Sequence, residues 1–223
     1  MGIYIYTSGT ENTLKNAYFG ADTLPSWYQE VEYIESTGTQ RIDTWVNIKD
    51  WFTVKCNTVF DSWGNFMVLW WYLWYYNSHQ YRFYWWVAPG WWWAYWFMDN
   101  ESTNLWTAQL NTKYNLELHI QSWNNYFKVD WTTLISWTQT FSHSYSGTLW
   151  VLAGYASDAT WNRNYRKAKM YDYKVYDLSA NLIRDMIPCY RTVDDVIWLY
   201  DKVNDVFYTN SWSWTFTKWP DVN

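Results

Sequence analysis

Apolar and polar positions alternate with a period of two along much of the chain, and residues 114–121 give the clearest example. In that run Leu116, Leu118 and Ile120 fall on one side of an extended backbone, and polar residues fall on the other. The alternation predicts a β-strand with its apolar side in a core and its polar side in water.

Short runs of this kind recur through the chain, with turn-forming residues between them. No stretch combines a helical apolar period with helix caps, so we expect little helix. Short strands divided by turns are typical of a sandwich or barrel. The predicted fold class is all-β, a sandwich of two antiparallel sheets. The clearest strands are expected at residues 53–60, 66–69, 81–84, 114–121, 126–130, 148–153, 167–177, 182–190, 196–201 and 206–209.

The chain is expected to hold one domain with a short leading unit. At 223 residues and 49% hydrophobic content it can bury one sizeable core. Leu24-Pro25 marks a boundary, because proline biases the residue before it towards extended geometry. We therefore predict a small β-hairpin unit at residues 1–24 and a β-sandwich domain at residues 25–223.

Charge, hydropathy and cysteine content exclude several classes of function. A net charge of −5 argues against nucleic acid, whose phosphates call for clustered Lys and Arg. No apolar run is long enough to cross a membrane, and residues 1–6 lack the features of a signal peptide. Cys56 and Cys189 are too far apart for a zinc site or a disulfide scaffold, so we expect two buried thiols.

Tryptophan and glycine contents deviate in opposite directions. The chain has 23 Trp and 8 Gly, whereas average usage would give about 16 Gly. Trp also occupies turn-like contexts in which a flexible residue is normal. One hypothesis is that UGA codons are translated here as Trp although the source reads them as Gly, as some bacteria and their phages do; the alternative is a genuinely Trp-rich binding surface. The turn-like positions are Trp123, Trp131, Trp137, Trp161, Trp212 and Trp214.

Both ends of the predicted domain resemble one family. Residues 24–40, LPSWYQEVEYIESTGTQ, followed by Ile42-Asp43-Thr44, look like the opening of concanavalin A-like (laminin G-like) domains. The closing strands of that family are resembled, in the same order, by residues 169–171, 174–177, 182–191, 199–201 and 207–210. Such domains are common in phage tail and gut-bacterial surface proteins.

The resemblance implies a jelly-roll sandwich that binds carbohydrate or a cell-surface receptor, on a virion or a cell surface. It also implies a homotrimer or a larger tail assembly as the possible oligomer. Fold alone does not fix function. The family has Gly at several positions where this chain has Trp, which supports the recoding hypothesis. Those positions are Trp27, Trp45, Trp198, Trp212, Trp214 and Trp219.

Aromatic and polar residues cluster most densely between residues 75 and 93. Sugar sites combine aromatic faces with a few hydrogen-bonding groups, so this segment is the predicted ligand surface. The alternative is that half of the side chains face the core, as strand alternation would dictate. The predicted ligand-binding residues are Tyr75, Tyr76, Asn77, His79, Tyr81, Arg82, Tyr84, Trp92 and Trp93.

Candidate catalytic groups are few. Glu30, Glu32 and Glu35 approximate the carboxylate run of concanavalin A-like glucanases, whose retaining pair must lie close together. The central Asp of that run is Glu here, and the run lies in the opening strand, so we interpret it as a solvated strand face and predict no catalysis. The histidines show no triad or ligand spacing and are interpreted as surface or hydrogen-bonded residues. They are His79, His119 and His143.

Calcium is the one ion for which the sequence has candidate ligands. Some laminin G-like domains bind Ca²⁺ through hard oxygen ligands, but the chain has no EF-hand-like spacing, so no cofactor is predicted. Arg184-Asp185 is expected to be a structural ion pair or a rim pair. The oxygen ligands available for calcium are Asp158, Asp172, Asp177 and Asp201.

Three functions follow in order of preference. The first is a non-catalytic receptor- or glycan-binding domain of a phage tail or surface adhesin. The second is a structural tail or decoration domain without a ligand, and the third is a glycoside hydrolase.

Overall fold

The computed structural model describes residues 24–37, 40, 42–47, 52–61, 64–66, 69–70, 81–88, 91–98, 101–104, 109–121, 123–138, 148–152, 167–210 and 215–222. Every regular element within these ranges is a β-strand, which confirms the all-β prediction. The strands are β1 (Tyr28–Glu30), β2 (Ile34–Thr37), β3 (Ile42–Asn47), β4 (Phe52–Phe60), β5 (Gly64–Phe66), β6 (Leu69–Trp70), β7 (Tyr81–Ala88), β8 (Trp91–Met98), β9 (Glu101–Asn104), β10 (Lys113–Ile120), β11 (Asn125–Val129), β12 (Thr132–Trp137), β13 (Thr148–Val151), β14 (Lys167–Tyr176), β15 (Leu182–Arg191), β16 (Ile197–Asp201), β17 (Val206–Thr209) and β18 (Thr217–Lys218).

The described strands form one large and two small antiparallel sheets. The large sheet has the order β12-β11-β10-β4-β14-β15-β16-β17, and β1, β2 and β18 join it through β15, β14 and β2. The small sheets have the orders β3-β13-β6 and β5-β7-β8-β9. Central strands β4 and β14 are among the longest, with 9 and 10 residues, so they can pair along most of their length.

One hydrophobic core joins the large sheet to the sheet of β3, β13 and β6. The same buried cluster includes Val54 and Leu116 of the large sheet, and Ile42, Leu149 and Val151 of β3 and β13. Two sheets that share one apolar layer form a sandwich. The predicted sandwich is therefore confirmed.

The alternating run predicted at residues 114–121 is β10. Its apolar residues Leu116, Leu118 and Ile120 are buried in the core, as predicted. The opposite face is not wet, however, because Glu117 is only 5% exposed and His119 is partly buried. Long side chains from neighbouring strands cover this face, and alternation within one strand cannot reveal such a cover.

Three local predictions are corrected. Residues 66 and 69, predicted to share a strand, belong to β5 and β6 in different sheets. Trp137, predicted to be in a turn, is a strand residue of β12 paired with Asn125. The run at residues 30–35, predicted to lie in one opening strand, is divided between β1 and β2 by residues 31–33, of which Val31 bridges to Asp221.

The cysteine prediction is confirmed and the leading unit is not tested. Cys56 and Cys189 are free and buried, and burial raises the pKa of Cys189 to about 12. The predicted hairpin unit at residues 1–24 lies outside the described residues except for Leu24. Among the described residues, no helix is long and apolar enough to span a membrane.

Candidate functional site

The predicted ligand-binding residues fall into two groups. Those outside the described residues are Tyr75, Tyr76, Asn77 and His79. The others are strand residues of β7 and β8, namely Tyr81, Arg82, Tyr84, Trp92 and Trp93. The two strands pair antiparallel along their whole length, with Trp92 opposite Val87 and Trp93 opposite Trp86. The backbone thus brings this second group onto two adjacent strands, and their role in binding stays a prediction.

Three aromatic rings meet at the junction of β2, β14 and β18, and we call them the three-ring surface. Tyr33 directly precedes β2, Tyr171 lies in β14, and Trp219 directly follows β18. The rings converge because β2 pairs with β14 on one side and with β18 on the other. Strand pairing therefore assembles the three-ring surface from distant parts of the chain.

The rings are in mutual contact, and one of them is exposed. The centroid of Tyr33 lies 5.4 Å from that of Trp219 in a stacked arrangement and 5.0 Å from that of Tyr171 in a tilted one. Trp219 is 40% exposed, whereas Tyr33 is 8% exposed. The Trp219 Nε1 donates a hydrogen bond to Glu35 Oε2 at 2.5 Å, which orients the indole. Trp219 therefore presents an aromatic surface, and Tyr33 supports it.

Two lysines lie over these rings. Lys113 Nζ is 3.6 Å from the centroid of the Tyr171 ring. Lys169 Nζ is 5.0 Å from the Tyr33 centroid and 5.6 Å from the Trp219 centroid. Ammonium groups at these distances are attracted to the ring faces. They also supply hydrogen-bond donors next to the aromatic surface.

A buried carboxylate completes the group. Asp61 Oδ1 lies 3.7 Å from Lys169 Nζ and has no hydrogen-bond partner. Burial raises the pKa of Asp61, and the charge of Lys169 partly opposes that rise. Burial would lower the pKa of Lys169, but Asp61 and Tyr33 outweigh it and raise that pKa. The three-ring surface thus has a charged donor and an unsatisfied acceptor at its side.

Burial also raises the pKa values of the phenols of Tyr33 and Tyr171. Both phenols are therefore neutral at physiological pH, and a neutral phenol both donates and accepts a hydrogen bond.

A second polar feature crosses the same large sheet, and we call it the lysine–carboxylate row. Glu117 lies between Lys55, at 3.2 Å, and Lys128, at 3.7 Å. Three strands further along the sheet, in β15, Asp185 lies between two other lysines. Its carboxylate is 3.0 Å from Lys174 and 3.2 Å from Lys202. Each carboxylate is thus shared by two lysines, which favours a structural role for the row.

Glu117 has the strongest set of partners in this row. Tyr126 donates a hydrogen bond to its Oε1 at 2.7 Å. Burial alone would raise the pKa of Glu117, but Tyr126, Lys55 and Lys128 together lower it. The same hydrogen bond and burial raise the pKa of Tyr126, with burial the larger cause. The buried charge is therefore stable as an anion.

Another aromatic cluster lies at β1, β16 and β17. Tyr28 stacks on Phe207 with centroids 3.9 Å apart, and Tyr200 packs on Phe207 at 4.7 Å. Trp198 meets Phe207 edge-on at 6.0 Å, and its buried Nε1 has no hydrogen-bond partner. These rings pack mainly on one another, so this cluster is a weaker candidate for a binding site.

The carboxylate run at residues 30–35 does not form a glucanase-like strand. Glu30 ends β1 and pairs with Cys189, while Glu35 lies in β2 and accepts a hydrogen bond from Trp219. Glu32 is exposed in the break between the two strands. A single strand carrying all three carboxylates, the arrangement expected of such a glucanase, is therefore not formed.

His119 lies in β10 with both ring nitrogens engaged. Its Nδ1 is 2.7 Å from Thr53 Oγ1, and its Nε2 is 3.1 Å from Gln121 Oε1. Its ring stacks on Tyr126, with centroids 4.6 Å apart, and burial lowers the pKa of His119. This agrees with the interpretation of His119 as a hydrogen-bonded residue. His79 and His143 lie outside the described residues.

The candidate calcium ligands are engaged separately. Asp172 accepts hydrogen bonds from the backbone and side chain of Asn57 at 3.0 and 2.7 Å. Asp177 accepts from the turn that follows it, and Asp201 lies within a buried ion pair. Asp158 lies outside the described residues. In the part of the chain that is described, no three acidic, His or Cys groups cluster to hold a metal.

The predicted pair Arg184-Asp185 is corrected. Arg184 pairs instead with Asp201, at 3.4 Å, and Asp185 pairs with Lys174 and Lys202. The reason is strand geometry, because successive side chains point to opposite faces of a sheet. Arg184 and Asp185 therefore belong to two different polar clusters.

No family model and no curated protein matches the chain. Among solved structures, a Bacteroides ovatus protein with a provisional assignment as a carbohydrate binding protein has a TM-score of 0.54 at 10% identity. The match covers 87% of this chain and 62% of that chain, so this chain spans less than two thirds of the Bacteroides ovatus protein.

Two Trypanosoma rangeli sialidase structures also match. One is a mutant that displays trans-sialidase activity, and the other is a complex with sialic acid. Their TM-scores are 0.45 and 0.44 at 13% identity, over 56% of this chain and 20% of each sialidase. At such low identities the likeness to the Bacteroides ovatus protein shows the fold alone. The sialidase matches support no conclusion about this chain, because their TM-scores are below 0.5.

Proposed function

We propose that this chain is a carbohydrate-binding domain of the concanavalin A-like type, which holds its ligand without breaking bonds in it. The observation that carries the proposal is the pair of tyrosine rings in the three-ring surface, which lie 5.0 Å apart beneath Lys113 and Lys169 and do not depend on whether residue 219 is Trp or Gly in the source protein. Pyranose rings stack on aromatic faces, and their hydroxyls need both donors and acceptors. The fold shared with the Bacteroides ovatus protein is compatible with this role.

Each group in this proposal has a distinct role. Tyr171, next to Lys113, offers the stacking face, and Trp219 extends the aromatic surface in the chain as given. Lys113 and Lys169 donate hydrogen bonds to ligand oxygens, and Asp61, 3.7 Å from Lys169 Nζ, holds that lysine in place. Two cations and nearby carboxylates together favour a neutral sugar over a strongly anionic one.

The β7–β8 aromatics form the second candidate surface. Tyr81, Arg82, Tyr84, Trp92 and Trp93 lie on the paired strands β7 and β8. This surface and the three-ring surface make separable predictions, because their residues lie in different sheets.

A glycan array followed by titration calorimetry tests the proposal. For the best glycan, Tyr171→Ala and Lys113→Ala should each weaken binding by about tenfold if the three-ring surface binds it. Trp123→Ala is the matched control, because this exposed ring lies beyond the opposite end of β10 from Lys113. Circular dichroism of each variant checks folding.

The outcomes distinguish the three-ring surface from the β7–β8 surface, and carbohydrate binding from a structural or catalytic role. Loss of binding in the Trp92→Ala/Trp93→Ala variant alone would assign the site to β7 and β8 and leave carbohydrate binding intact. Absence of any glycan hit, together with a stable trimer in sedimentation equilibrium, would overturn the proposal in favour of a structural tail domain. Hydrolysis of a β-glucan that Glu30→Gln abolishes would overturn its non-catalytic part.

The location of this domain, on a virion or a cell surface, is part of the same proposal. A virion tail or a cell surface is where a domain of this type would meet glycans. The genes beside this one test the setting, because tail and lysis genes would support a virion protein and a cell-wall anchor would support an adhesin.

A further inference from the structure

We infer that Trp45, Trp123 and Trp131 occupy glycine positions, and that the protein made in its own source has Gly there because UGA is read as glycine. The inference does not depend on the proposed function. It rests on backbone geometry, which is independent of the codon argument. All three residues have left-handed backbones, with φ of 53°, 65° and 70°.

Left-handed φ is ordinary for some residues and not for tryptophan. Asn and Asp tolerate this region because their short side chains bond locally, and Gly enters it without a steric cost. A bulky side chain in this region is a genuine outlier. Of the nine non-glycine residues with positive φ in the described ranges, four are Asn or Asp and three are Trp. The remaining two are Leu152 and Ala180.

Trp131 lies in the tightest of the three settings. Val129 of β11 pairs with Thr132 of β12, so Asp130 and Trp131 alone form the hairpin loop. Their φ values are 46° and 70°. Positive φ at both loop residues defines a type I′ turn, for which Asp-Gly is among the preferred sequences. The chain has Asp in its expected place and Trp in the place of Gly.

Trp123 lies in the connection between β10 and β11. The backbone N–H of Asn124 donates to the carbonyl of Gln121 at 3.0 Å, which closes a four-residue turn. Trp123 is the third residue of that turn, with a φ of 65°. Turns with positive φ at this position take Gly or Asn there. The backbone again calls for glycine.

Trp45 lies in an irregular part of β3. Asp43 pairs with Trp150 and Asn47 with Thr148, so three residues of β3 lie opposite one residue of β13. Bulges of this kind commonly use Gly in the left-handed region. Three different local motifs therefore lead to the same residue type.

Burial does not explain tryptophan at these positions. The side chains of Trp45, Trp123 and Trp131 are 70%, 68% and 73% exposed. A packed indole could offset an unfavourable backbone, but these indoles lie mostly in water. The geometry thus argues against the alternative in which the fold selects Trp at these turns.

One codon assignment explains both composition anomalies. Tryptophan is encoded by UGG, and translation of UGA as Trp adds tryptophan wherever the source inserts glycine. The surplus of 23 Trp and the deficit at 8 Gly then have a single origin. Trp198 fits the same explanation, because its indole N–H is buried without a partner in β16. Trp198 is a further candidate glycine position because of this buried N–H group and not because of its backbone, which is not left-handed.

The codons provide the first test. UGA is expected at residues 45, 123 and 131, and UGG at these positions would overturn the inference. The second test is thermal unfolding of single variants, which distinguishes glycine from a small residue in general. Trp131→Gly and Trp123→Gly should raise the Tm by roughly 2 to 4 °C each, and by more than Trp131→Ala and Trp123→Ala do.

Val193 supplies the matched control. It is 81% exposed in a turn, but its backbone is not left-handed. Val193→Gly should therefore give no gain over Val193→Ala. If glycine and alanine are equivalent at 123 and 131, or if glycine is equally favoured at 193, the inference fails. Glycan binding plays no part in either test, so failure of the proposed function would leave this result intact.

Discussion

At the scale of single residues, the buried phenol of Tyr173 and the partly buried phenol of Tyr126 differ in whether their hydroxyl has a hydrogen-bond partner. Tyr173 lies in the core with no hydrogen-bond partner for its hydroxyl, whereas Tyr126 donates to Glu117 at 2.7 Å. A polar group that is buried without a partner loses its hydrogen bonds to water and gains none in the fold, which lowers stability. The two tyrosines therefore form an internal comparison.

Tyr173→Phe should raise the free energy of unfolding by about 1 kcal/mol, because it removes an unsatisfied hydroxyl and keeps the ring. Tyr126→Phe should lower it by about 1 kcal/mol, because Glu117 then loses a donor. Urea unfolding of the two variants measures both changes. A loss of stability in Tyr173→Phe would show that its hydroxyl has a partner after all.

Glu117 makes stability depend on pH. Its folded pKa lies below its usual value, so it contributes stability above its unfolded pKa and loses that contribution as pH falls through the folded pKa. Glu117→Gln should therefore flatten the decrease in stability below about pH 5. At neutral pH it should cost about 1 to 2 kcal/mol, allowing for screening of the partly exposed lysines.

Urea titrations between pH 3 and pH 7 measure this difference. Glu32→Gln is the control, because Glu32 is exposed in the break between β1 and β2. An unchanged acid profile in Glu117→Gln would contradict the assignment of the lowered pKa.

The burial of Glu117 was not predictable from alternation. A period of two identifies the residues that share a face, but not the side chains that reach over that face from neighbouring strands. Lys55 and Lys128 do so with long apolar stems, and only the register of β4, β10 and β11 brings them together. The three-ring surface was missed for the same reason, since Tyr33, Tyr171 and Trp219 meet only through strand pairing.

At the scale of elements, most strands were predictable because apolar alternation and turn residues are local signals. The clearest predictions correspond to β4, β10, β11 and β14 to β17, with ends shifted by a residue or so. The break between β1 and β2 was not predictable, because it depends on a bridge from Val31 to Asp221. The type I′ turn was predictable because Asp130 and its flanking β-type residues are a local signature.

Asp201 links three elements near the end of β16. Its carboxylate accepts hydrogen bonds from the backbone of Asp185 and Val203 and from the Asn204 side chain, and it pairs with Arg184. It is completely buried. It therefore fixes the β16–β17 turn against β15.

Asp201→Asn should cost about 3 kcal/mol or more, because it leaves Arg184 without its buried counter-charge. Asp194→Asn, at an exposed pair, should leave the unfolding midpoint unchanged within error. Thermal unfolding of the two variants is a direct comparison, and equal effects would contradict the structural role of Asp201.

At the scale of the whole molecule, the large sheet is closed by contacts between the two ends of the chain. β1 pairs with β15, β2 pairs with β14, and β18 pairs with β2. Central strand β4 has β10 on one side and β14 on the other. Such long-range pairing makes folding slow and makes the first strands dependent on the last ones.

That closure has a consequence for gene transfer. If residue 45 is encoded by UGA, as we infer, translation of this gene in a cell that reads UGA as a stop would end at that codon or earlier. The released peptide would contain at most β1, β2 and part of β3, and none of β14, β15 or β18, the partners of β1 and β2. It would hold unpaired strand edges and no core, and would be degraded. On this inference, the folded domain is made only in cells that read UGA as an amino acid.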